Sequence, residues 1–396
     1  MRSPPIRTRR VPSASVLGVL MLAACAEPAP PLNPVALGEP VPGLTEAERG
    51  RFLLGRALFE RLATPEEGLG PLFNAERCSS CHDDPVPGGG GARIPVLKAS
   101  RFHEGVCSTL PEAGGDNLQQ RVTPALQDLG IRAEPVPGEA TASAFVTAPP
   151  LFGLGLLEAV PEADLVALAD PEDADGDGIR GRVPRRPDGT LVRFGRKGDA
   201  ATVQDFVEQA LLLELGFTSP RFPREEPWAG QPLPPDVDPF PDPEMTPEAV
   251  TLLTDYVRYL APPSPPSRAD GADEGEGESL FREIGCAACH VPELTTGEVR
   301  EGALSRVSIR AYTDLLLHDM GYGPGDVCTP QAAPGEYRTA PLWGLRHRTT
   351  FLHGGRATTV REAIQAHGGE GAPSRAAFEA LQSDAQERIL RFLSGL

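Results

Sequence analysis

Two copies of one short cysteine–histidine pattern constrain this chain more than any other feature. Residues 78–82 read CSSCH and residues 286–290 read CAACH. In a C-x-x-C-H pattern each cysteine sulfur can add to a vinyl group of one haem, and the adjacent histidine binds its iron. The two cysteine pairs could instead form one zinc site, but that would leave the histidine after each pair unexplained. The repeat predicts two covalent haem c groups, attached through Cys78, Cys81, Cys286 and Cys289, with His82 and His290 as proximal iron ligands.

The first 24 residues are predicted to be an export signal and not part of the fold. Four arginines precede a short apolar run, residues 16–24, which is too short to span a bilayer as a mature helix. The run ends in the sequence LAAC at Cys25, which resembles a bacterial lipoprotein signal, and an ordinary signal peptide is the alternative. The resemblance implies lipidation of Cys25 and sorting to the outer membrane. We therefore expect a periplasm-facing lipoprotein that touches the membrane only through this lipid anchor.

The charge of the chain limits its partners. The formal net charge is −18 at pH 7, which argues against nucleic acid or anionic membrane surfaces. An acidic surface suits a basic redox partner protein, and a small electron donor is the other option. The chain also has 43 glycines and 44 prolines, so long irregular connections are expected between its helices.

The helix signals predict two similar halves. Thr45 and Glu48 form a capping box that starts a helix just before the first haem motif. A proline- and glycine-rich stretch at 262–278 then separates the halves, and a second helix leads into the second haem motif. The predicted organisation is a signal peptide (1–24), a proline-rich tether (25–43), an N-terminal haem c domain with an inserted helical region (44–261), a linker (262–278) and a C-terminal cytochrome c domain (279–396). The predicted fold class is mainly α, with two cytochrome c-like domains and long irregular loops.

Several longer segments carry a family resemblance. They are LGPLFN (69–74), ADPEDADGDGIRGR (169–182), YTDLLLHDMG (312–321), RTAPLWGLR (338–346) and FLHGGRATTVREAIQAHGGE (351–370). With them the chain resembles the bacterial di-haem oxidoreductases, also called thiol oxidoreductase-like, and more distantly the di-haem cytochrome c peroxidases and MauG-type enzymes. It departs from the family at Arg196, where an aromatic residue is common. The resemblance implies electron transfer through one haem and peroxide chemistry at the other.

The resemblance also implies a second axial ligand for the C-terminal haem. In the related peroxidases the distal ligand follows an HDG-like motif by one helix; here the motif is at 353–355 and the matching position is His367. Thr359 and Glu362 form a capping box, which predicts a helix from Val360 to His367. We expect a His290/His367 iron, with Met320 as the competing ligand.

The N-terminal haem is less determined by the sequence. His103 lies roughly where the resembling peroxidases carry a removable distal histidine, and an exposed loop histidine is the alternative. Gln119, Gln120 and Glu139 are candidate catalytic residues, because cleavage of peroxide needs a proton moved between its oxygens. Trp343 could assist electron passage, and a core tryptophan is the alternative. Arg346 and Arg356 could pair with haem propionates.

Two further groups of residues suggest structural sites. Asp173, Asp175 and Asp177 alternate as in the first half of a calcium-binding loop, although the bidentate glutamate of an EF-hand is missing and a solvated acidic turn is the alternative. Cys107 and Cys328 are the two remaining cysteines. Outside the cytoplasm we expect them to form a disulfide, and two buried thiols or a redox-active pair are the alternatives.

Two functions remain open from the sequence. The first is a di-haem oxidoreductase with peroxidase-like chemistry at the N-terminal haem, and the second is a periplasmic electron-transfer cytochrome without catalytic turnover. The haem motifs predict the cofactor but do not distinguish these two functions.

Overall fold

Two helix pairs frame the fold, one around each cysteine motif. The computed structural model describes residues 29–264, 271–321 and 326–396, so Cys25, the signal sequence, the start of the tether and part of the linker lie outside the described residues. The α-helices are α1 (Glu46–Glu60), α2 (Pro124–Asp128), α3 (Leu154–Glu158), α4 (Glu162–Leu168), α5 (Val203–Leu215), α6 (Pro247–Tyr259), α7 (Gly271–Glu283), α8 (Val360–Gln365), α9 (Ala372–Ala380) and α10 (Ser383–Gly395). None of the helices within these residues is both long and apolar enough to cross a membrane.

Glycines allow the framing helices to pack closely. A Cβ on Gly55 of α1 would lie 2.0 Å from the carbonyl oxygen of Leu252 in α6, and one on Gly277 of α7 would lie 2.5 Å from that of Arg388 in α10. Only glycine permits such an approach of two helix backbones. Each pair of helices thus brackets one C-x-x-C-H motif in the same way.

The same aromatic contact recurs in both halves. Phe59 of α1 lies with its ring centroid 6.3 Å from that of His82, at 51°. Phe281 of α7 lies 6.3 Å from His290, also at 51°. The cysteines of each motif start a short 3₁₀ turn, Cys78–Ser80 and Cys286–Ala288. The two halves therefore present their histidines with one shared local geometry.

The prediction of a mainly α fold class is wrong. Helices make up 33% of the structure and strands 16%. The strands are β1 (Leu72–Phe73), β2 (Gly91–His103), β3 (Val106–Ser108), β4 (Asn117–Leu118), β5 (Arg121–Val122), β6 (Ala142–Ala148), β7 (Leu294–Thr295), β8 (Ser308–Ile309), β9 (Leu317–Asp319) and β10 (Glu336–Arg338). The long strand β2 pairs antiparallel with β3, β4 and β6. The long strand β2 contains β-branched and aromatic residues such as Ile94, Val96 and Phe102, which favour strands over helices.

Two hydrophobic clusters form most of the core. The larger one joins α1, α3, α5 and α6 to residues 294–315 of the second half, and Trp343 belongs to it. The smaller one lies between α7, α9 and α10. Segments of the second half therefore pack against the first, and the two cavities described below share a wall.

Both predicted capping boxes are present in the structure. The Thr45 hydroxyl accepts the backbone N–H of Glu48 at 3.2 Å, and the Glu48 carboxylate accepts the N–H of Thr45 at 2.8 Å. The same box forms at Thr359 and Glu362, at the start of α8. That helix ends at Gln365, two residues before the predicted end, so His367 lies just beyond it.

Two candidate haem cavities

The first cavity holds the N-terminal cysteine motif. It has a volume of about 210 Å³ and an apolar lining that includes Phe59, Cys78, Cys81 and His82. The Nδ1 atom of His82 lies 3.1 Å from the carbonyl oxygen of Gly89, so a proton on Nδ1 would be bonded there and Nε2 would carry the lone pair. Burial lowers the pKa of His82 to about 4. The imidazole is therefore neutral at pH 7, as a metal-binding histidine must be.

The second cavity repeats this arrangement around the C-terminal motif. It also has a volume of about 210 Å³ and is lined by Cys286, Cys289 and His290. His290 Nδ1 lies 3.0 Å from the carbonyl oxygen of Tyr312, and burial lowers the pKa of His290 to about 4. Backbone carbonyls that fix the ring in this way are the usual support of a ligating histidine. Since the two cysteine pairs line different cavities, they do not form a single four-cysteine zinc site.

His367 faces His290 across the second cavity. The ring centroids lie 6.5 Å apart. A metal–imidazole bond is about 2 Å long and each nitrogen lies about 1 Å from its ring centre, so two imidazoles on one iron have centroids roughly 6 Å apart. His367 Nδ1 lies 2.7 Å from the carbonyl oxygen of Ala363, which leaves Nε2 for a ligand, and burial lowers its pKa. The spacing fits an iron held between the two histidines.

Met320 lies beside His367. Both side chains line the second cavity, and a Cβ on Gly371 would lie 3.1 Å from the Cβ of His367 and 3.2 Å from the Cε of Met320. The structure thus brings both candidate ligands to the same place. The spacing of the two imidazole rings favours His367.

A buried carboxylate borders the first cavity. Glu214 of α5 accepts hydrogen bonds from Asn74 Nδ2 at 2.9 Å and from Asn117 Nδ2 at 2.5 Å. Burial raises the pKa of Glu214 to about 7, against the opposing effect of these bonds and of Lys98. The Oδ1 atom of Asn117 is buried and has no hydrogen-bond partner within the described residues. The cavity thus offers an unfilled polar position beside a carboxyl that can gain or lose a proton near neutral pH.

The catalytic residues predicted for this cavity lie elsewhere. Gln119 is buried, and its Nε2 donates to the carbonyl oxygen of Leu213. Gln120 donates from Nε2 to the carbonyl oxygen of Leu118. Glu139 is exposed on a loop. None of the three lines the cavity, and the two amides instead donate to backbone carbonyls of α5 and β4.

His103 is not a distal ligand in this structure. It ends β2 at the turn into β3, its side chain is 77% exposed, and it lies 3.7 Å from the carboxylate of Glu104. The hairpin turn points it to solvent.

Glu214 was missed by the sequence analysis, although one acid inside the apolar run ALLLELGF was a usable signal of a buried carboxylate.

Three residues line both cavities and so form the wall between them: Arg196, Tyr337 and His353. The rings of Tyr337 and His353 are stacked, 3.5 Å apart at 11°. Arg196 Nη1 lies 3.2 Å from His353 Nδ1.

Trp343 lines neither of the two cavities and belongs to the larger hydrophobic cluster. The side chain suggested for electron passage is therefore a core residue.

Two further half-buried arginines, Arg338 and Arg348, line the second cavity together with Arg196 of the shared wall. Burial and mutual repulsion lower the pKa of Arg196 to about 10, and burial lowers those of Arg338 and Arg348 to about 10. The Nε atom of Arg348 is buried and has no hydrogen-bond partner among the described residues. Buried guanidinium groups require anions. The carboxylates of haem propionates would meet this requirement.

The arginines predicted to bind propionates do not lie at this wall. Arg346 bonds to the backbone carbonyls of Ser264 and Leu396, and Arg356 is exposed. Neither Arg346 nor Arg356 lines the first or the second cavity. The sequence alone did not separate them from the arginines that do line a cavity.

His318 is held by two carboxylates beside the second cysteine motif. Its Nε2 lies 2.9 Å from Asp314 and its Nδ1 lies 2.7 Å from Glu370, with Cys289 Sγ at 3.6 Å. Burial disfavours its charged form, but the hydrogen bonds to Asp314, Cys289 and Glu370 raise the pKa of His318 to about 12. The imidazole of His318 is therefore protonated at neutral pH and lies next to the Sγ atom of Cys289.

The two structural sites also have defined positions. Cys107 of β3 and Cys328 form a disulfide with a Cα–Cα distance of 5.9 Å. Cys328 belongs to the lining of the first cavity. The ligand atoms of Asp173, Asp175 and Asp177 lie within 4.8 Å of one another on the surface.

Comparison with known proteins identifies the family. No curated protein matches the chain. Among solved structures it is similar to hydrazine synthase of Kuenenia stuttgartiensis (13% identity, TM-score 0.43, covering 98% of this chain and 100% of that one). It is also similar to a MauG-like protein associated with microbial copper homeostasis (16% identity, TM-score 0.41, covering 93% of this chain and 92% of that one). A third similar structure is the diheme peroxidase BthA from Burkholderia thailandensis (16% identity, TM-score 0.38, covering 91% of this chain and 88% of that one). Residues 142–396 match the family described as "Di-haem oxidoreductase, putative peroxidase". The chain therefore belongs to the di-haem oxidoreductase family.

Proposed function

We propose that the protein is a di-haem c-type cytochrome in which the C-terminal haem transfers electrons and the N-terminal haem reacts with a peroxide. The difference between the two cavities carries this proposal. In the second cavity two imidazoles face each other at 6.5 Å, which fits a six-coordinate iron. The first cavity instead contains Glu214, a buried carboxyl with a pKa raised to about 7.

The cysteine motifs would hold the haems. Burial raises the pKa of Cys78, Cys81 and Cys286 to about 12, so these sulfurs are protonated thiols at neutral pH. As thiols they are suited to form thioethers with haem vinyl groups. Bound haem would supply an iron that gains and loses single electrons.

Each histidine then has one role. His82 and His290 would bind the two irons through Nε2, and His367 would complete the coordination of the second. A bis-histidine iron has a lower potential than a methionine/histidine iron. The second haem would therefore be a good donor of electrons to the first.

Glu214 would perform the acid–base work at the first haem. Reduction of a peroxide requires a proton to move from one oxygen to the other before the O–O bond breaks. A carboxyl with a pKa near 7 both accepts and returns a proton at neutral pH. Asn74 and Asn117 hold its two oxygens, so the proton is exchanged at a fixed position. The unpartnered Oδ1 of Asn117 is a ready acceptor for a peroxide hydroxyl.

Three arginines would anchor haem propionates. Arg196 lines both cavities, and Arg338 and Arg348 line the second one. Pairing with propionates would neutralise both partners. Haem binding should therefore stabilise this part of the fold.

We further propose that the protein works outside the cytoplasm. Covalent haem attachment, the disulfide of Cys107 and Cys328 and a lipid on Cys25 are all consistent with export to the periplasmic face of the outer membrane. The net charge of −18 suits a basic redox protein as electron donor. Changing Cys25 to Ala should release the protein from membranes, and continued membrane attachment would contradict the anchor.

Removal of one haem at a time tests the function. Changing Cys78, Cys81 and His82 to Ala should leave one low-spin haem and abolish the spectral response to hydrogen peroxide. The matched variant, with Cys286, Cys289 and His290 changed to Ala, should lose the low-spin haem and keep a peroxide-sensitive one. If neither haem of the intact protein responds to peroxide, the protein is an electron-transfer cytochrome.

A further inference from the structure

Tyr337 occupies a special place in the wall between the cavities. It lies in β10, whose pairing with β9 sets Tyr337 opposite His318, and it is only 7% exposed. It lines both cavities. An electron that passes between the two sites therefore has this ring in its path.

The surroundings of the ring are unusual for a core tyrosine. The imidazole of His353 is stacked on the ring at 3.5 Å, and the ammonium of Lys197 lies 3.8 Å from the ring centroid. Two groups at these distances must occupy opposite faces. The phenolic hydroxyl donates a hydrogen bond to Oδ2 of Asp326. The tyrosine thus has a carboxylate as proton acceptor and a fixed cation over its ring.

We propose that Tyr337 is a one-electron relay between the two haems, with Asp326 as the acceptor of its phenolic proton. The inference rests on the proposed function, because the haem oxidised by peroxide is the electron acceptor. In the forward step the phenol of Tyr337 would give one electron to that haem, while its O–H bond breaks and the proton moves to Asp326. In the return step the tyrosyl radical would take one electron from the haem of the second cavity, and the proton would return from Asp326.

The charges around the ring explain why the proton must move. A tyrosine that lost only an electron would carry a positive charge, next to Lys197 on one face and near Arg196. Repulsion between like charges at such distances in a buried site is costly. Transfer of the proton to Asp326 leaves a neutral radical and so avoids this repulsion. Stacking on His353 keeps the ring in place throughout.

Electron paramagnetic resonance after rapid mixing with hydrogen peroxide tests the relay. The wild type with ring-deuterated tyrosine should give a narrowed radical signal, and Tyr337→Phe should lack the signal while its resting haem spectra stay unchanged. Tyr259→Phe is the matched control, since Tyr259 is buried in α6 and lines neither cavity. Asp326→Asn keeps the ring but weakens the proton acceptor, so the signal should form at least tenfold more slowly.

A second oxidant separates this inference from the proposed function. Hexachloroiridate(IV) takes single electrons from the protein without peroxide chemistry and should produce the same signal in the wild type and in Tyr259→Phe. If the haems ignore peroxide but iridate gives a signal that depends on Tyr337, the proposed function fails and the relay stands. A tyrosine signal that persists in Tyr337→Phe, or no tyrosine signal with iridate, overturns the relay.

Discussion

Glu214→Gln is the change that separates the acid–base role of this residue from its packing. Glutamine has nearly the same shape and can still accept a hydrogen bond from Asn74 or Asn117, but it cannot exchange a proton. Loss of a general acid–base group typically lowers a rate about 10²- to 10⁴-fold. We expect a reduction of this size in the reaction of the half-reduced protein with hydrogen peroxide.

The pH dependence of the peroxide reaction gives a second quantitative test of the role of Glu214. With a pKa of about 7, roughly 1% of Glu214 is ionised at pH 5 and roughly 90% at pH 8. If the carboxylate takes the first proton from peroxide, the wild-type rate should rise about 90-fold over this range. Stopped-flow absorbance from pH 5 to pH 8 measures it. The rate of the Gln variant should be flat.

The raised pKa of Glu214 also predicts how the free energy of unfolding depends on pH. The folded pKa lies above 4.5, the usual value of a glutamate, so the folded protein holds this proton more tightly than the unfolded chain. Its stabilising effect is complete below about pH 4.5 and is lost as pH rises through about 7, a difference of about 3 kcal/mol. The wild type should therefore lose this much free energy of unfolding relative to Glu214→Gln across that range.

A second glutamate on the same helix controls for a general effect of replacing a buried carboxylate. Glu208 is also buried in α5 and bonds to Gln204 and Ser219, but it does not line the cavity. Glu208→Gln should keep the pH profile of the peroxide reaction. A wild-type rate that does not change with pH, or equal effects of the two substitutions, would refute the reasoning.

Three more predictions follow from the other sites. His367→Ala should abolish the low-spin signal of the C-terminal haem while Met320→Leu leaves it intact, measured by electron paramagnetic resonance; the reverse pattern would make Met320 the ligand. Thiol counting on denatured, unreduced protein should find Cys107 and Cys328 oxidised. Changing both to Ser should lower the free energy of unfolding by up to about 5 kcal/mol, since they close a loop of sequence separation 221; two free thiols in the wild type would contradict the disulfide. A calcium ion at Asp173, Asp175 and Asp177 should raise the melting temperature by a few degrees, and a scan with and without chelator that shows no shift would exclude it.

Local signals in the sequence were reliable where one residue or spacing dictates the structure. The two C-x-x-C-H motifs lie at two cavities, and the capping boxes at Thr45 and Thr359 form. These features depend on neighbours within a few positions of the chain. Short-range geometry is therefore enough to predict them.

Features that depend on distant segments were missed. The sheet of β2 and β6 joins segments about 50 residues apart, and the fold class was therefore wrong. Glu214, Asn74 and Asn117 come from three separate segments, so their meeting had no local signal. The wall of Arg196, Tyr337 and His353 likewise combines residues far apart in the chain. The departure at Arg196 was visible in the sequence, but its place between the cavities was not.

The inequality of the two haems is the central claim, and electron paramagnetic resonance of the oxidised and half-reduced protein tests it most directly. The oxidised protein should show one low-spin bis-histidine signal and a second haem that is high-spin or labile. Hydrogen peroxide added to the half-reduced protein should then change the signal of the N-terminal haem. Two low-spin signals that ignore peroxide in every redox state would contradict the account.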